Sequence, residues 1–170
     1  LLIVPSTPYI GDTVNCIGVV SDEDLESTTE TYLWENLTAG TTLSTSNSLS
    51  LGGSNVAPGD SISCIMTTTD TSGGTDTDSV STSVGNLPPR IDSLTFDRTV
   101  GASGDTMTCR SAESDREGEI PTVTYEWTNE TTGLGIGSGA SLTLTTNMAT
   151  GLDEISCEAT ASDGYGATDT

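Results

Sequence analysis

The chain contains no histidine and no lysine, and its entire basic complement is Arg90, Arg98, Arg110 and Arg116. Losing histidine removes the commonest general base and the commonest metal-binding side chain. Losing lysine removes Schiff-base chemistry and the phosphate-cradling P-loop. The net charge of −21 repels phosphates, so nucleic acid is excluded as a partner and an anionic membrane surface is disfavoured. Long apolar runs are missing too. The apolar segment 1–4 falls far short of the roughly 20 residues of a spanning helix, so direct membrane insertion by this segment is not expected.

Aromatic residues make up 4% of the chain, with a single phenylalanine, while serine and threonine supply roughly a third. Such a composition is shared by disordered and mucin-like segments. Periodicity decides against both. Val123, Tyr125 and Trp127 alternate with Thr124 and Glu126, and Ile155, Cys157 and Ala159 alternate with Ser156 and Glu158. This is the period of a strand with one apolar face, and threonine suits the other face. No helical stretch of useful length is present.

Cys16, Trp34 and Cys64 recur as Cys109, Trp127 and Cys157, with gaps of 18 and 30 residues in both sets. The offset of 93 also relates Asp12 to Asp105, Tyr32 to Tyr125, Leu49 and Leu51 to Leu142 and Leu144, Asp60 to Asp153, Ile62 to Ile155 and Asp70 to Asp163. A fixed period of this length denotes an array of small domains. We read one repeat over 1–87 with its first strand truncated, a second over 88–170 with its last strand missing, and a hinge near 86–90. In the second repeat strands are expected near 91–96, 105–112, 122–128, 135–137, 141–145 and 154–161. The first follows at minus 93 and adds one near 75–84. Segment 88–93 has no counterpart before Leu1, and 78–86 has none after Thr170. The array is accordingly expected to continue past both ends. The slot beside the strand of Cys157 should then be filled by the continuing chain, or by a strand donated in trans.

Many short strands at this spacing imply an all-β fold of two antiparallel sandwiches. The cysteine, tryptophan, cysteine arrangement resembles the immunoglobulin fold, whose inter-sheet disulfide packs against a tryptophan. The hinge Asn86, Leu87, Pro88, Pro89, together with the runs Gly104 to Cys109, Ser114 and Asp115, and Tyr125 to Trp127, is similar to Ig-like repeats of large secreted or surface proteins of bacteria and archaea. Antibody-like domains carry a tyrosine two residues before the second cysteine, where this chain has Ile62 and Ile155; receptor or antibody function is therefore not carried over. The resemblance implies disulfides Cys16 to Cys64 and Cys109 to Cys157, and of three pairings the duplication selects this one. Persistent disulfides imply an oxidising location, outside the cell or on its surface. Isolated cysteines do not fit a zinc site.

Four groups of residues are candidates for more than packing. Asp22, Glu23, Asp24 and Glu26 form an acidic loop after the second strand, matched by Asp115, Glu117 and Glu119. Calcium takes six to eight oxygens from such loops, and Asp22, Asp24, Asp115 and Glu117 are the candidate calcium ligands; no other cofactor is expected. Paired carboxylates on a solvated loop lack the apolar cleft of a glycosidase, so no enzyme activity is expected. Asn36 and Asn129 head Asn-x-Thr sequons and are the candidate N-glycosylation sites, on a turn expected to be accessible. Trp34 and Trp127 read as core, Tyr32 and Tyr125 as core or its margin.

Two functions fit this reading. One is a structural extracellular array, part of a filament, stalk or surface layer, whose partners are neighbouring copies or adjacent repeats. Its hinge, Leu87, Pro88, Pro89 and Arg90, is short and restricted. The other is an adhesin that binds glycan or protein through loops at one pole. Equal loop lengths and the lack of an exposed aromatic cluster favour the first.

Overall fold

Alternation sets which side of each strand is buried. Along Thr13–Ile17, Val14 and Cys16 turn inward while Thr13, Asn15 and Ile17 stay exposed. The computed structural model describes residues 1–170 except Gly53 and Thr99. Among them fourteen strands and no helix are found, divided between two units, Leu1–Leu87 and Pro88–Thr170.

The first unit contains β1 (Leu2–Val4), β2 (Thr13–Ile17), β3 (Thr28–Asn36), β4 (Thr41–Ser44), β5 (Ser48–Ser50), β6 (Ser61–Asp70) and β7 (Thr75–Ser83). The second contains β8 (Arg90–Phe96), β9 (Thr106–Ser114), β10 (Thr122–Asn129), β11 (Leu134–Ser138), β12 (Ser141–Thr143), β13 (Ile155–Ser162) and β14 (Thr168–Asp169). Sheet orders are β1-β2-β5 with β4-β3-β6-β7 in one unit, and β8-β9-β12 with β11-β10-β13-β14 in the other. All pairings are antiparallel. Each unit is thus a sandwich of a three-stranded and a four-stranded sheet.

The disulfides Cys16–Cys64 and Cys109–Cys157 join the two sheets of each sandwich, and no described cysteine is free. Both close a separation of 48 residues. On a chain-entropy account, a loop of that length stabilises the fold by about 4 kcal/mol, a large share of what a small domain has. Strand register explains the fixed place of the tryptophan. Trp34 lies opposite Cys64 across β3 and β6, and Trp127 opposite Cys157 across β10 and β13. Each indole is therefore held against the staple, and both are essentially inaccessible. Each indole N–H donates to a backbone carbonyl, Trp34 to Ser46 and Trp127 to Gly139, at 3.0 and 2.8 Å. Burial of such a polar handle is tolerated because it is paired.

The two cores differ in size. Ile3, Ile10, Val14, Leu49, Leu51, Val56, Ile62 and Val84 pack around the first staple. Met107, Leu142 and Leu144 are the buried residues around the second, where Phe96 also meets Trp127 with ring centroids 5.8 Å apart. One source of the difference is the edge of the larger sheet. In the first unit β7 covers β6 from Ser61 to Thr69. In the second, β14 pairs with Ala161 and Ser162, the counterparts of Thr68 and Thr69. β14 thus lies beside the end of β13 alone, and positions 155–160 have no strand beside them on that side among the described residues.

Candidate metal centre

Two loops at the same end of the second sandwich carry its clustered acid. One is 115–119, which follows β9, and the other is 163–167, which links β13 to β14. Each is folded by its first carboxylate. Oδ1 of Asp115 accepts the N–H of Glu117 at 2.7 Å. Oδ1 of Asp163 accepts those of Tyr165 and Ala167 at 2.8 and 2.9 Å. Aspartate does this because its short side chain reaches its own backbone a few residues on.

Turning the loops this way gathers charge. One carboxylate oxygen each from Asp115, Glu119 and Asp163 lies within 4.8 Å of the others, and all three residues are half-buried. Loss of water raises the pKa of Glu119 above its ordinary value, and the charges of Asp115, Asp163 and Glu117 push it further the same way. The set differs from the four ligands expected from the sequence. Asp115 takes part, and Glu117 acts on Glu119 as a neighbouring charge. Glu119 and Asp163 complete the cluster, and neither is among the ligands expected from the sequence.

Asp22 and Asp24 are placed otherwise. In the first unit the same four positions are acidic, as Asp22, Asp24, Glu26 and Asp70, but they form no such cluster among the described residues. Oδ1 of Asp22 accepts the N–H groups of Asp24 and Glu26, and Oε1 of Glu26 accepts the hydroxyl of Ser72 at 2.9 Å. The position of Ser72 is taken by Tyr165 in the second unit. One hydroxyl near the turn thus engages Glu26 in a way its counterpart Glu119 is not engaged.

Asn36 and Asn129 correct a second expectation. They end β3 and β10 instead of lying on an open turn, and both are 1% exposed. Asn36 donates from Nδ2 to the carbonyl of Asn55 and to Oδ2 of Asp60, and its Oδ1 accepts the N–H groups of Thr38 and Ala39. Asn129 repeats this with Met148, Asp153 and Thr132. Neither amide is available for a glycan in the folded unit. The sequon threonine is occupied as well: Thr38 Oγ1 accepts the N–H of Ser61, and Thr131 Oγ1 that of Glu154. Asn-x-Thr here is a clasp between the turn after the third strand and the start of the sixth. Asp153 accepts the N–H of Thr150 and the amide of Asn129, which together hold its pKa below the ordinary value. Gly40 and Gly133 close the two turns at φ of 67° and 70°, where a side chain would be strained.

Tyr32 and Tyr125 sit half-buried against the cores. The Tyr32 hydroxyl donates to Glu30, and that hydrogen bond first, then burial and the Glu30 charge, raises its pKa. Tyr125 pairs with the hydroxyl of Ser111 at 2.7 Å. No family model matches the sequence, and no curated protein matches it.

Proposed function

We propose that this chain is a segment of a structural array on the outside of the cell, built from tandem disulfide-stapled sandwiches of Ig-like type. The observation that supports this most is the repetition of one load-resisting arrangement in both units. Staple, tryptophan, and Asn to Asp clasp recur at an offset of 93, each tying the same strands together. A staple joining the two sheets resists their separation, which is what a bead in a filament, stalk or surface layer must do. Persistent disulfides fit an oxidising exterior. An acidic surface keeps such a protein soluble and discourages unspecific association.

The test is immunogold labelling of native cells with antibody to this chain, combined with a glycan-array screen of the purified segment. Labelling of filaments or a surface layer, with no selective glycan bound, is the expected result. Tight and selective binding of one glycan class would replace the structural role by adhesion, and label confined to the cytoplasm would overturn both.

A further inference from the structure

Leu33 and Ile65 stand directly opposite each other on β3 and β6. Their neighbours Trp34 and Cys64 turn into the core of the first unit, so by alternation Leu33 and Ile65 turn outward. Both are half-buried, and neither belongs to the core. Ser79 completes their row on β7, and the next row is Thr31, Thr67 and Thr77, where the last two hydroxyls meet at 3.0 Å. Among the outward positions of β3, β6 and β7 only Glu35 is charged, in a chain whose net charge is −21. The second unit differs at the centre of this face. Its corresponding residues are Glu126 and Glu158, again directly opposite and both exposed. Like charges in that relation weaken a sheet, and they repel another acidic chain. The duplicated fold accepts either pair, so folding alone does not call for the apolar one.

The chemistry of the first face selects what covers it. An ionised carboxylate only accepts hydrogen bonds, whereas a hydroxyl both donates and accepts, so serine and threonine around an apolar centre match a second copy of themselves. With so little charge there, two acidic chains meet on it with the least repulsion. We propose that the outer face of β3, β6 and β7 is a contact between two copies of this chain, packed sheet to sheet about a two-fold axis with Leu33 and Ile65 of each copy at its centre. β3 and β7 are nine residues long, and three strands about 4.8 Å apart rising about 3.4 Å per residue offer roughly 400 Å² per copy. The pair buries roughly 800 Å², the size of a weak and reversible interface. This contact rests on the array proposed above and supplies its lateral partner.

The experiment is sedimentation equilibrium of the intact oxidised chain from micromolar to millimolar concentration, in low and in high sodium chloride. A reversible dimer is expected, with a Kd on the order of 10⁻⁴ M. Salt should tighten it, because screening removes the repulsion between acidic chains and leaves the apolar contact. Leu33→Glu combined with Ile65→Glu installs the pair with which the second unit already folds, and it should weaken the dimer at least tenfold. Val19→Glu combined with Leu25→Glu adds the same charge at exposed loop positions and should leave the dimer unchanged. A chain that stays monomeric at millimolar concentration in high salt, a dimer indifferent to the Leu33 and Ile65 changes, or equal weakening by the loop variant would each overturn the contact. A monomer that still labels filaments or a surface layer refutes the contact and leaves the array standing.

Discussion

Asn129 donates its side-chain N–H to Oδ2 of Asp153 across 2.9 Å, and Asn36 donates to Oδ2 of Asp60 across 2.7 Å. These pairs fasten the end of the third strand of each unit to the loop that enters the sixth. Truncation of either asparagine leaves buried groups without partners. Asn129→Ala should therefore destabilise the second unit by about 2–3 kcal/mol, read as a lower denaturant midpoint. The companion expectation is chemical: the folded chain carries no glycan at Asn36 or Asn129 even when made in a glycosylating host. Intact mass spectrometry showing occupied sequons would contradict the clasp.

Acid should loosen the same clasp. The folded pKa of Asp153 lies below its ordinary value, so the folded state prefers the charged form. Its contribution to stability is complete above the ordinary aspartate range near pH 4 and is lost as pH falls through the lower folded value. Melting temperature measured from pH 6 down to pH 2 should fall less steeply for Asp153→Asn than for the parent chain. Parallel curves would show that Asp153 lends no pH-dependent stability.

Much of the architecture was legible in the sequence because period-two alternation and a repeated triplet of large, sparse residues are strong signals. The cysteine and tryptophan positions follow from strand register, so their spacing survives duplication unchanged. Side chains that act through their own backbone were harder to read. Asn129 and Asp153 are 24 residues apart, and nothing local marks Asn-x-Thr as a buried clasp and not an exposed sequon. Glu119 and Asp163 meet because the start of β10 pairs with the end of β13, Thr122 opposite Ser162, a relationship that the sequence of either loop alone does not carry.

Among the described residues positions 155–160 of β13 have no strand beside them on one side, and a strand supplied to this segment should pair there. In the first unit Val80 lies opposite Cys64, while Val84 is buried in the core and exchanges backbone hydrogen bonds with Gly59 and Asp60. In the second unit the corresponding end is a cavity bordered by Phe96, Met107, Leu144, Leu152 and Ile155. A synthetic peptide of sequence 77–84 should bind there and raise the melting temperature of the second unit saturably. Replacing the valines of that peptide by aspartate should abolish the effect. Equal stabilisation by a scrambled peptide would refute specific strand addition.

Each sandwich is stapled so that force cannot extend the chain between its cysteines. Single-molecule stretching of the oxidised chain tests this most directly. The first unit spans 87 residues, of which the separation of 48 between Cys16 and Cys64 is locked, leaving 39 to extend. At about 3.5 Å per residue this amounts to a release of roughly 140 Å, with a slightly shorter one for the second unit. Two separate events of that size are expected, each growing to roughly 300 Å once the disulfides are reduced. Full-length release from the oxidised chain would contradict the staples, and a single event for both units would contradict their standing as separate beads.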